Sequence, residues 1–191
     1  MIPISISLQN FLSYGENVPH LDFSGFHVAC ISGRNGHGKS ALLDAITWVL
    51  WGRSRSQRQE QLIHHGQDEM AVELVFDIRS ERYRVARRYS RARKTAQSSL
   101  ELGVQTGADD FRPITGDTIG ATQAHLNRLI SMDYETFVNS AFLMQGRADL
   151  FTMSTASSRK EVLAKVLGLG LYDRLEAVSY THLTLPTILL V

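Results

Sequence analysis

The segment CISGRNGHGKSALLDAITWVLWG, residues 30–52, is the most informative part of the sequence, because an apolar run passes through a glycine-rich turn into a second, longer apolar run. The first run predicts a short strand over residues 26–32. The second run has helical length and apolar spacing, so it predicts a helix over Lys39–Trp51. Gly52 follows directly and marks the end of that helix. A strand that leads through glycines into a helix indicates an α/β protein.

The glycine-rich turn, residues 33–40, matches the phosphate-binding pattern G-x-x-x-x-G-K-S/T at every fixed position, and we call it the phosphate loop. Glycines let successive amides converge on phosphate oxygens, and the following helix points its positive end at the same anion. Lys39 supplies a mobile positive charge for the terminal phosphates, and the Ser40 hydroxyl is expected to bind Mg²⁺. The alternative is a strand-to-helix turn with an accidental lysine, which the predicted strand and helix on either side argue against. The loop alone does not choose among kinases, GTPases, transporters and DNA machines.

Length and composition suit one domain, or a large part of a bigger protein. The chain has 191 residues, 43% hydrophobic and 20% charged, with a formal net charge of +1 that indicates no particular partner. Its single cysteine, Cys30, excludes an internal disulfide framework and a multi-cysteine metal site, and we expect it to be buried in the predicted strand. No stretch approaches the ~20 apolar residues of a membrane span, and the first residues do not resemble a signal peptide, so we expect a cytoplasmic protein.

The remaining periodic segments predict further strands and helices. Alternation predicts a strand over 2–8 with Ile2, Ile4, Ile6 and Leu8 on one face, and an antiparallel meander of strands over 71–78, 82–89 and 99–104. Helices are predicted over 118–130, 134–142, 159–167 and 172–178, with Asp117 and Asp133 as caps of the first two and a Ser158–Glu161 capping box opening the third. The strand AVELVFD ends in Asp77, which we interpret as part of the meander and not as a Mg²⁺ ligand.

Eight positive charges crowd into residues 79–94, which we call the basic hairpin, against only one negative charge, Glu81. On a strand, Arg82, Arg84 and Arg88 share one face, and Arg87 lies on the other with Tyr83, Val85 and Tyr89. Such a patch can neutralise DNA phosphates without reading sequence. The alternative is an edge hairpin kept soluble by charge. The candidate DNA-binding residues are Arg82, Arg84, Arg87, Arg88, Arg91 and Arg93.

Taken together, these segments resemble the N-terminal ATPase segment of the SbcC-type proteins, the large subunits of bacterial SbcCD nucleases in the SMC-like branch of the ABC ATPases. The stretches that carry the resemblance are Asn10-Phe11, HLDFSGFHVACISGRNGHGKSALLDAITWVLWG, LIHHGQDEMAVELVF, RYRVARR and FVNSAFLMQGRADLF. The resemblance covers roughly residues 1–177. It implies the N-terminal half of an α/β P-loop head of ABC/SMC type, in which a mixed sheet carries the phosphate loop beside an antiparallel meander. It also favours DNA as the partner of the basic hairpin.

The resemblance also implies roles for single positions. Gln145 resembles the Q-loop glutamine, which can contact the Mg²⁺ shell and the attacking water. The candidate catalytic residues are therefore Lys39 and Gln145, and the candidate metal-site residues are Ser40 and Gln145. Leu12 departs from the family, whose members often carry an arginine there that reaches the nucleotide. The implied ATP-binding residues are Gly33, Asn35, Gly36, His37, Gly38, Lys39, Ser40 and Ala41 of the phosphate loop and helix start, with Ile63, His64 and His65 of a nearby loop.

The implied partners follow from the composite site of ABC ATPases, in which one phosphate loop meets the signature loop of another lobe across the nucleotide. No LSGGQ-like segment and no apolar strand ending in Asp-Glu occurs in the sequence. We therefore expect the protein's own C-terminal ATPase half and a homodimer formed through ATP as partners. The resemblance further implies an SbcD-like metal-dependent nuclease subunit and DNA, and we expect no membrane partner. The chain alone is expected to hydrolyse little or no ATP and to expose an apolar sheet edge.

The last residues do not continue the pattern. VSYTHLTLPT, beginning at Val178, resembles a translated sequencing adapter, so we expect residues 1–177 to be the ATPase half and 178–191 a non-native tail. A genuine terminal strand is the alternative. Two other functions stay open: a different SMC-like recombination or condensation ATPase, and a self-contained small P-loop kinase, which would need a lid, an acceptor-binding aspartate and its own turnover. A transporter ATPase suits the phosphate loop but not the RYRVARR segment.

Overall fold

The computed structural model describes residues 1–26, 28–56, 58–91, 96–107, 110–140 and 155–166. The chain divides into two compact units, Met1–Ser131 and Met132–Val191. The first contains a sheet, two α-helices and the phosphate loop, and the second contains two further helices within its described part.

A six-stranded sheet forms the first unit, and every neighbouring pair of its strands is antiparallel. The strands are β1 (Ile2–Gln9), β2 (Leu21–Asp22), β3 (Glu69–Ile78), β4 (Glu81–Ser90), β5 (Gln97–Gln105) and β6 (Phe111–Pro113). The order across the sheet is β2-β1-β3-β4-β5-β6. The predicted meander is confirmed as β3, β4 and β5, whereas the two short strands β2 and β6 carry too few residues for a periodic signal.

Alternating burial explains the meander. Met70, Val72, Leu74 and Phe76 of β3 are all buried on one face, and the opposing residues of β4 bury the same face. A one-residue slip would turn this whole apolar set to solvent, so the register is well specified. The strands reverse through a turn in which Arg79 adopts a positive φ of 56°.

Strand β1 forms as predicted, but its apolar face is interrupted. Ile6 and Leu8 are buried, whereas Ile2 is 66% exposed. The pairing of β1 with β3 shifts in register between Pro3 and Ser5, which changes the face that the first residues present.

Helix α1 is Lys39–Trp51 and ends at Gly52 in a left-handed conformation, as the sequence predicts. It contacts β3 and β4, and it buries Trp48 against Phe11 with ring centroids 5.5 Å apart. Helix α2 is Ile119–Ile130. Its N-cap is Thr118, whose side chain accepts from the Ala121 amide, so the prediction of Asp117 as cap was wrong by one residue. A short 3₁₀ helix spans Gln59–Leu62.

The strand predicted before the phosphate loop does not form in the described part of residues 26–32, which omits His27. Phe26, Val28 and Ile31 are 63%, 92% and 47% exposed, and Cys30 is exposed, so its predicted burial was wrong. An isolated extended segment has no neighbour for its amides and carbonyls, and none of the six described strands pairs with it. The apolar pattern is present, but the described residues supply no partner strand.

In the second unit, helix α3 spans Tyr134–Ser140 and helix α4 spans Ala156–Val166, and the two contact each other. Asp133 caps α3 as predicted, because its Oδ1 accepts from the Thr136 amide at 2.8 Å. Helix α4 begins at Ala156, so Ser158 lies within its first turn and the prediction of a start at Arg159 was wrong. Gln145, the predicted helix 172–178 and the tail 178–191 lie outside the described residues.

Candidate functional site

The phosphate loop has the backbone conformation that its glycines were expected to allow. Gly36 and Gly38 adopt φ angles of 84° and 85°, which side chains with a Cβ rarely tolerate. Between them the His37 amide donates to the Arg34 carbonyl at 3.3 Å, closing a tight turn. The loop therefore leads directly into α1. Backbone groups, and not a side chain, lie at the start of the helix.

The N-terminus of α1 is open in a way that suits an anion. Gly38 is the N-cap and has no side chain to accept from the first amides, and α1 has no acidic residue in its first turn. The other long helix of this unit is different, because Thr118 caps α2. The amides at the start of a helix lack intrahelical acceptors and carry the positive end of the helix dipole. At α1 no side chain of the described residues caps those amides, an arrangement that suits a phosphate group.

Lys39 folds back onto the loop that precedes it. Its Nζ donates to the Gly33 carbonyl at 2.6 Å and to the Arg34 carbonyl at 2.8 Å. These are neutral acceptors at a partly exposed position, so a phosphate oxygen can replace them with a stronger charge-assisted bond. From this position the Lys39 ammonium can exchange its two carbonyl acceptors for an anion bound at the loop.

The donor set fits ATP with Mg²⁺. A glycine loop, an uncapped helix start and one lysine supply positive partial and full charge to phosphates, and Ser40 contributes a hydroxyl at the second position of α1. Mg²⁺ is commonly held by one or two protein oxygens together with phosphate oxygens and water, so a single hydroxyl suffices from this lobe. When bound, the nucleotide would supply a transferable phosphoryl group, and the protein groups named here would hold it.

Residues 10–15, the turn after β1, pack against the N-terminus of α1. The Tyr14 hydroxyl donates to the Gly38 carbonyl at 3.2 Å, and a Cβ added to Gly38 would lie 3.3 Å from the Tyr14 ring. Burial raises the pKa of Tyr14, so the hydroxyl keeps its proton throughout the neutral range. No periodic pattern in the sequence singles out this tyrosine, and sequence reasoning missed it.

The predicted loop of Ile63, His64 and His65 is brought to this turn. The His64 amide donates to the Asn10 carbonyl at 2.8 Å, and the His64 Nδ1 donates to the Leu12 carbonyl at 2.7 Å. Ile63 pairs with Phe11 through an isolated bridge, while His65 is exposed. Leu12, which occupies the position of the family arginine, contributes its backbone here and also donates its amide to Leu62 O at 2.7 Å.

The arginines of the basic hairpin have different surroundings. Arg82 forms two hydrogen bonds to the Asp77 carboxylate at 2.8 and 3.0 Å and keeps the pKa of Asp77 below its usual value. Arg91 pairs with Asp68 at 2.9 Å, and Arg84 lies over the Phe111 ring at 4.9 Å. Arg88 is exposed, and Arg93 lies outside the described residues. Strand β4 lies between β3 and β5, so it is not an edge strand.

Arg87 is buried and faces the helices. Its Nε donates to the Val49 carbonyl at 3.1 Å, and its Nη2 donates to Gln123 Oε1 at 2.6 Å. The Gln123 amide donates in turn to Leu50 O at 2.7 Å, so two carbonyls from the last turn of α1 are satisfied by these side chains. Burial lowers the pKa of Arg87 from its ordinary value to about 10. The structure therefore gives Arg87 a position in the core and not on the exposed face of the hairpin.

No helix in the described residues is long and apolar enough to cross a bilayer.

Comparisons with known proteins support the resemblance to SbcC-type ATPases and the α/β P-loop fold class. The AAA domain family matches residues 5–178 of the chain. A DNA double-strand break repair Rad50 ATPase of Thermoplasma volcanium is 31% identical over 177 residues, which cover 93% of this chain and 18% of that protein. The SbcC component of the SbcCD nuclease of Deinococcus radiodurans is 26% identical over 182 residues, which cover 94% of this chain and 20% of that protein. The chain spans about a fifth of the length of these curated relatives.

Among solved structures, the recombination mediator protein RecF with ATP is similar at a TM-score of 0.41 and 21% identity. The similarity covers 61% of this chain and 29% of that one. A likeness of this size carries no argument about function.

Proposed function

The chain belongs to the AAA domain family, and from that premise we propose that it is the ATP-binding N-terminal lobe of an SbcC-like DNA-repair ATPase. In the complete protein, ATP would clamp two such heads together, and hydrolysis would release them. The change would gate a partner nuclease on DNA ends. The energy for it would be differential, since ATP contacts both heads in the closed state and only one in the open state.

The observation that carries the proposal is the open N-terminus of α1 beside Lys39. Gly38 offers no side-chain cap, and among the described residues Lys39 donates to the neutral carbonyls of Gly33 and Arg34. Binding would exchange those carbonyls for phosphate oxygens, and the amides at the start of α1 would gain phosphate acceptors. Gln145 is proposed to contact the Mg²⁺ shell, from the resemblance alone.

The exposed apolar segment before the phosphate loop supports the proposal that a second lobe of the protein packs against it. Phe26, Val28 and Ile31 form a run with strand character that has no partner among the described strands. We propose that the C-terminal ATPase half of the same protein covers this segment and completes the sheet. The same half would supply the signature loop and the carboxylate that the sequence lacks. An ATP-linked homodimer and an SbcD-like nuclease subunit are the further partners proposed.

DNA is proposed to contact the face of β4 that carries Arg82, Arg84 and Arg88. Because Asp77 pairs with Arg82 and Asp68 pairs with Arg91, the net positive charge of this surface is smaller than the sequence suggests. We therefore propose a weak, salt-sensitive contact that adds to others in the complete protein. A different SMC-like recombination or condensation ATPase is the alternative function, and an associated nuclease subunit in a pull-down would separate the two.

The test is ATP binding by the 191-residue chain with and without Lys39→Ala, beside salt-dependent DNA binding. We expect Lys39→Ala to weaken ATP binding by at least about 10-fold and to leave DNA affinity largely intact. Lys160→Ala is the matched control, because it removes one exposed lysine on α4 and should change neither measurement.

Unchanged ATP affinity in Lys39→Ala would count against the nucleotide site. Steady ATP turnover by the purified chain, linear in its concentration, would favour a self-contained P-loop enzyme over a lobe that needs a second half.

A further inference from the structure

We propose that Tyr14 is a positioning residue of the nucleotide site, which fixes the direction of the first amide that α1 presents to a phosphate. The proposal rests on the proposed nucleotide binding and adds a residue from outside the phosphate loop. It concerns the hydroxyl of Tyr14 and not only the packing of its ring.

The contact lies at the peptide unit that begins the helix. The Tyr14 hydroxyl donates to the Gly38 carbonyl at 3.2 Å. The peptide bond is planar, so the carbonyl of Gly38 and the N–H of Lys39 belong to one rigid group. A hydrogen bond that holds the carbonyl in one direction therefore holds the Lys39 N–H in the opposite direction. That N–H is the first helical amide of the proposed phosphate site.

The same carbonyl also accepts a helical bond, so two donors act on it. The Leu42 amide donates to Gly38 O at 3.2 Å, at the long end of the usual range for such bonds. Gly38 also has no Cβ and a φ of 85°, so its own side chain does nothing to restrict the peptide plane. The Tyr14 ring, 3.3 Å from where a Cβ would lie, fills the space beside it.

Tyr14 can act in this way because its own position is well determined. The turn is closed by the Asn10 amide donating to Gly15 O at 3.1 Å and by the Tyr14 amide donating to Phe11 O at 2.9 Å. Phe11 is completely buried beside Trp48 of α1, which anchors the turn to the same helix. Two bonds from His64 to the backbone of residues 10 and 12 fix the turn from the other side.

The turn that carries Tyr14 is therefore held by contacts outside the phosphate loop, and the Tyr14 hydroxyl reaches the loop from this fixed position. Loss of the Tyr14 hydroxyl should therefore have different effects on nucleotide affinity and on fold stability. Loss of the hydroxyl should loosen the Gly38–Lys39 peptide, which costs nucleotide affinity, while the partly exposed ring keeps its packing and the fold keeps its stability.

The experiment compares ATP affinity and urea unfolding in the 191-residue chain for wild type, Tyr14→Phe, Tyr83→Phe and Lys39→Ala. Tyr83→Phe is the matched control, because it removes a phenol hydroxyl that bonds to Glu81 at the turn between β3 and β4. We expect Tyr14→Phe to weaken ATP binding by about 3- to 10-fold and Tyr83→Phe to leave it unchanged. Both variants should retain the unfolding midpoint of wild type within a similar small margin.

Unchanged ATP affinity in Tyr14→Phe, with Lys39→Ala still defective, would overturn the role of Tyr14 and leave the proposed function intact. A loss of affinity accompanied by an equal loss of stability would also overturn it, since that pattern indicates packing. Failure of wild type to bind ATP would overturn the proposed function and this inference together.

Discussion

The buried guanidinium of Arg87 allows a quantitative prediction, because its contacts and its desolvation oppose each other. We consider Arg87→Met, which keeps the length of the side chain, and Arg87→Ala, which does not. Arg87 is 8% exposed and donates to Val49 O and to Gln123 Oε1. Its position at the C-terminal end of α1 also places a positive charge at the negative end of the helix dipole.

The magnitude follows from two terms of similar size. Hydrogen bonds from a charged group contribute about 1.5–3 kcal/mol each, so the two bonds together contribute several kcal/mol. Burial lowers the pKa of Arg87 to about 10, and at about 1.4 kcal/mol per pKa unit this desolvation costs the charged form about 3 kcal/mol. Methionine loses the hydrogen bonds but also avoids the cost of burying a charge, so we expect Arg87→Met to lower the free energy of unfolding by only about 1–2 kcal/mol. Alanine also leaves a cavity and should cost about 3–4 kcal/mol.

Tryptophan fluorescence during urea unfolding reports on the part of the protein that Arg87 contacts. The two tryptophans of the chain, Trp48 and Trp51, both lie in α1, whose last turn Arg87 contacts. The signal therefore reports the first unit and not the second. Arg84→Met is the control on the same strand, where loss of the contact with the Phe111 ring should cost less than about 1 kcal/mol.

Two results would refute the reasoning. If Arg87→Met were as destabilising as Arg87→Ala, desolvation would offset much less of the hydrogen-bond energy than the lowered pKa of Arg87 indicates. If neither variant changed the unfolding free energy by more than about 0.5 kcal/mol, Arg87 would not connect α1 to β4 as the contacts indicate.

Two further predictions concern helix α2 and the basic hairpin. Thr118→Ala should lower the free energy of unfolding by about 1 kcal/mol through loss of the cap on α2, whereas Asp117→Ala should change it by less than about 0.5 kcal/mol; equal effects in urea unfolding would restore Asp117 as the cap. The bond from Arg82 lowers the pKa of Asp77 below 3.8, so the pair stabilises the fold above that pH, and the stability is lost as the pH falls through the folded-state value. Because both side chains are partly exposed, Asp77→Asn should cost no more than about 1 kcal/mol at pH 7, and the difference from wild type should shrink in acid; a difference that grew in acid would contradict this.

Local patterns predicted much of the first unit. The helix from Lys39 to Trp51 and its end at Gly52 follow from apolar spacing and one glycine, and the meander follows from alternation. The positive φ angles of Gly36 and Gly38 fit the requirements of the phosphate loop. These features depend on residues that are close in sequence, so periodicity is enough to identify them.

The main errors arose where a longer-range partner decides. The segment 26–32 has strand character, but a strand also requires a neighbour, and the described residues provide none. Cys30 is exposed for the same reason. The cap of α2 is an error of local origin: Thr118 and not Asp117 is the N-cap, because the residue at which the helix begins decides which side-chain oxygen reaches the first amides.

The phosphate loop, its helix and the meander follow from the amino-acid pattern alone, because backbone freedom at glycine and side-chain alternation act within a few residues. Only the tertiary structure showed that Arg87 is internal, that Asp77 and Asp68 offset two arginines, and that Tyr14 reaches Gly38 across 24 positions. Those contacts depend on which faces the sheet and α1 bring together. Strand alternation distinguishes the two faces of β4, but only packing decides which of them meets a helix.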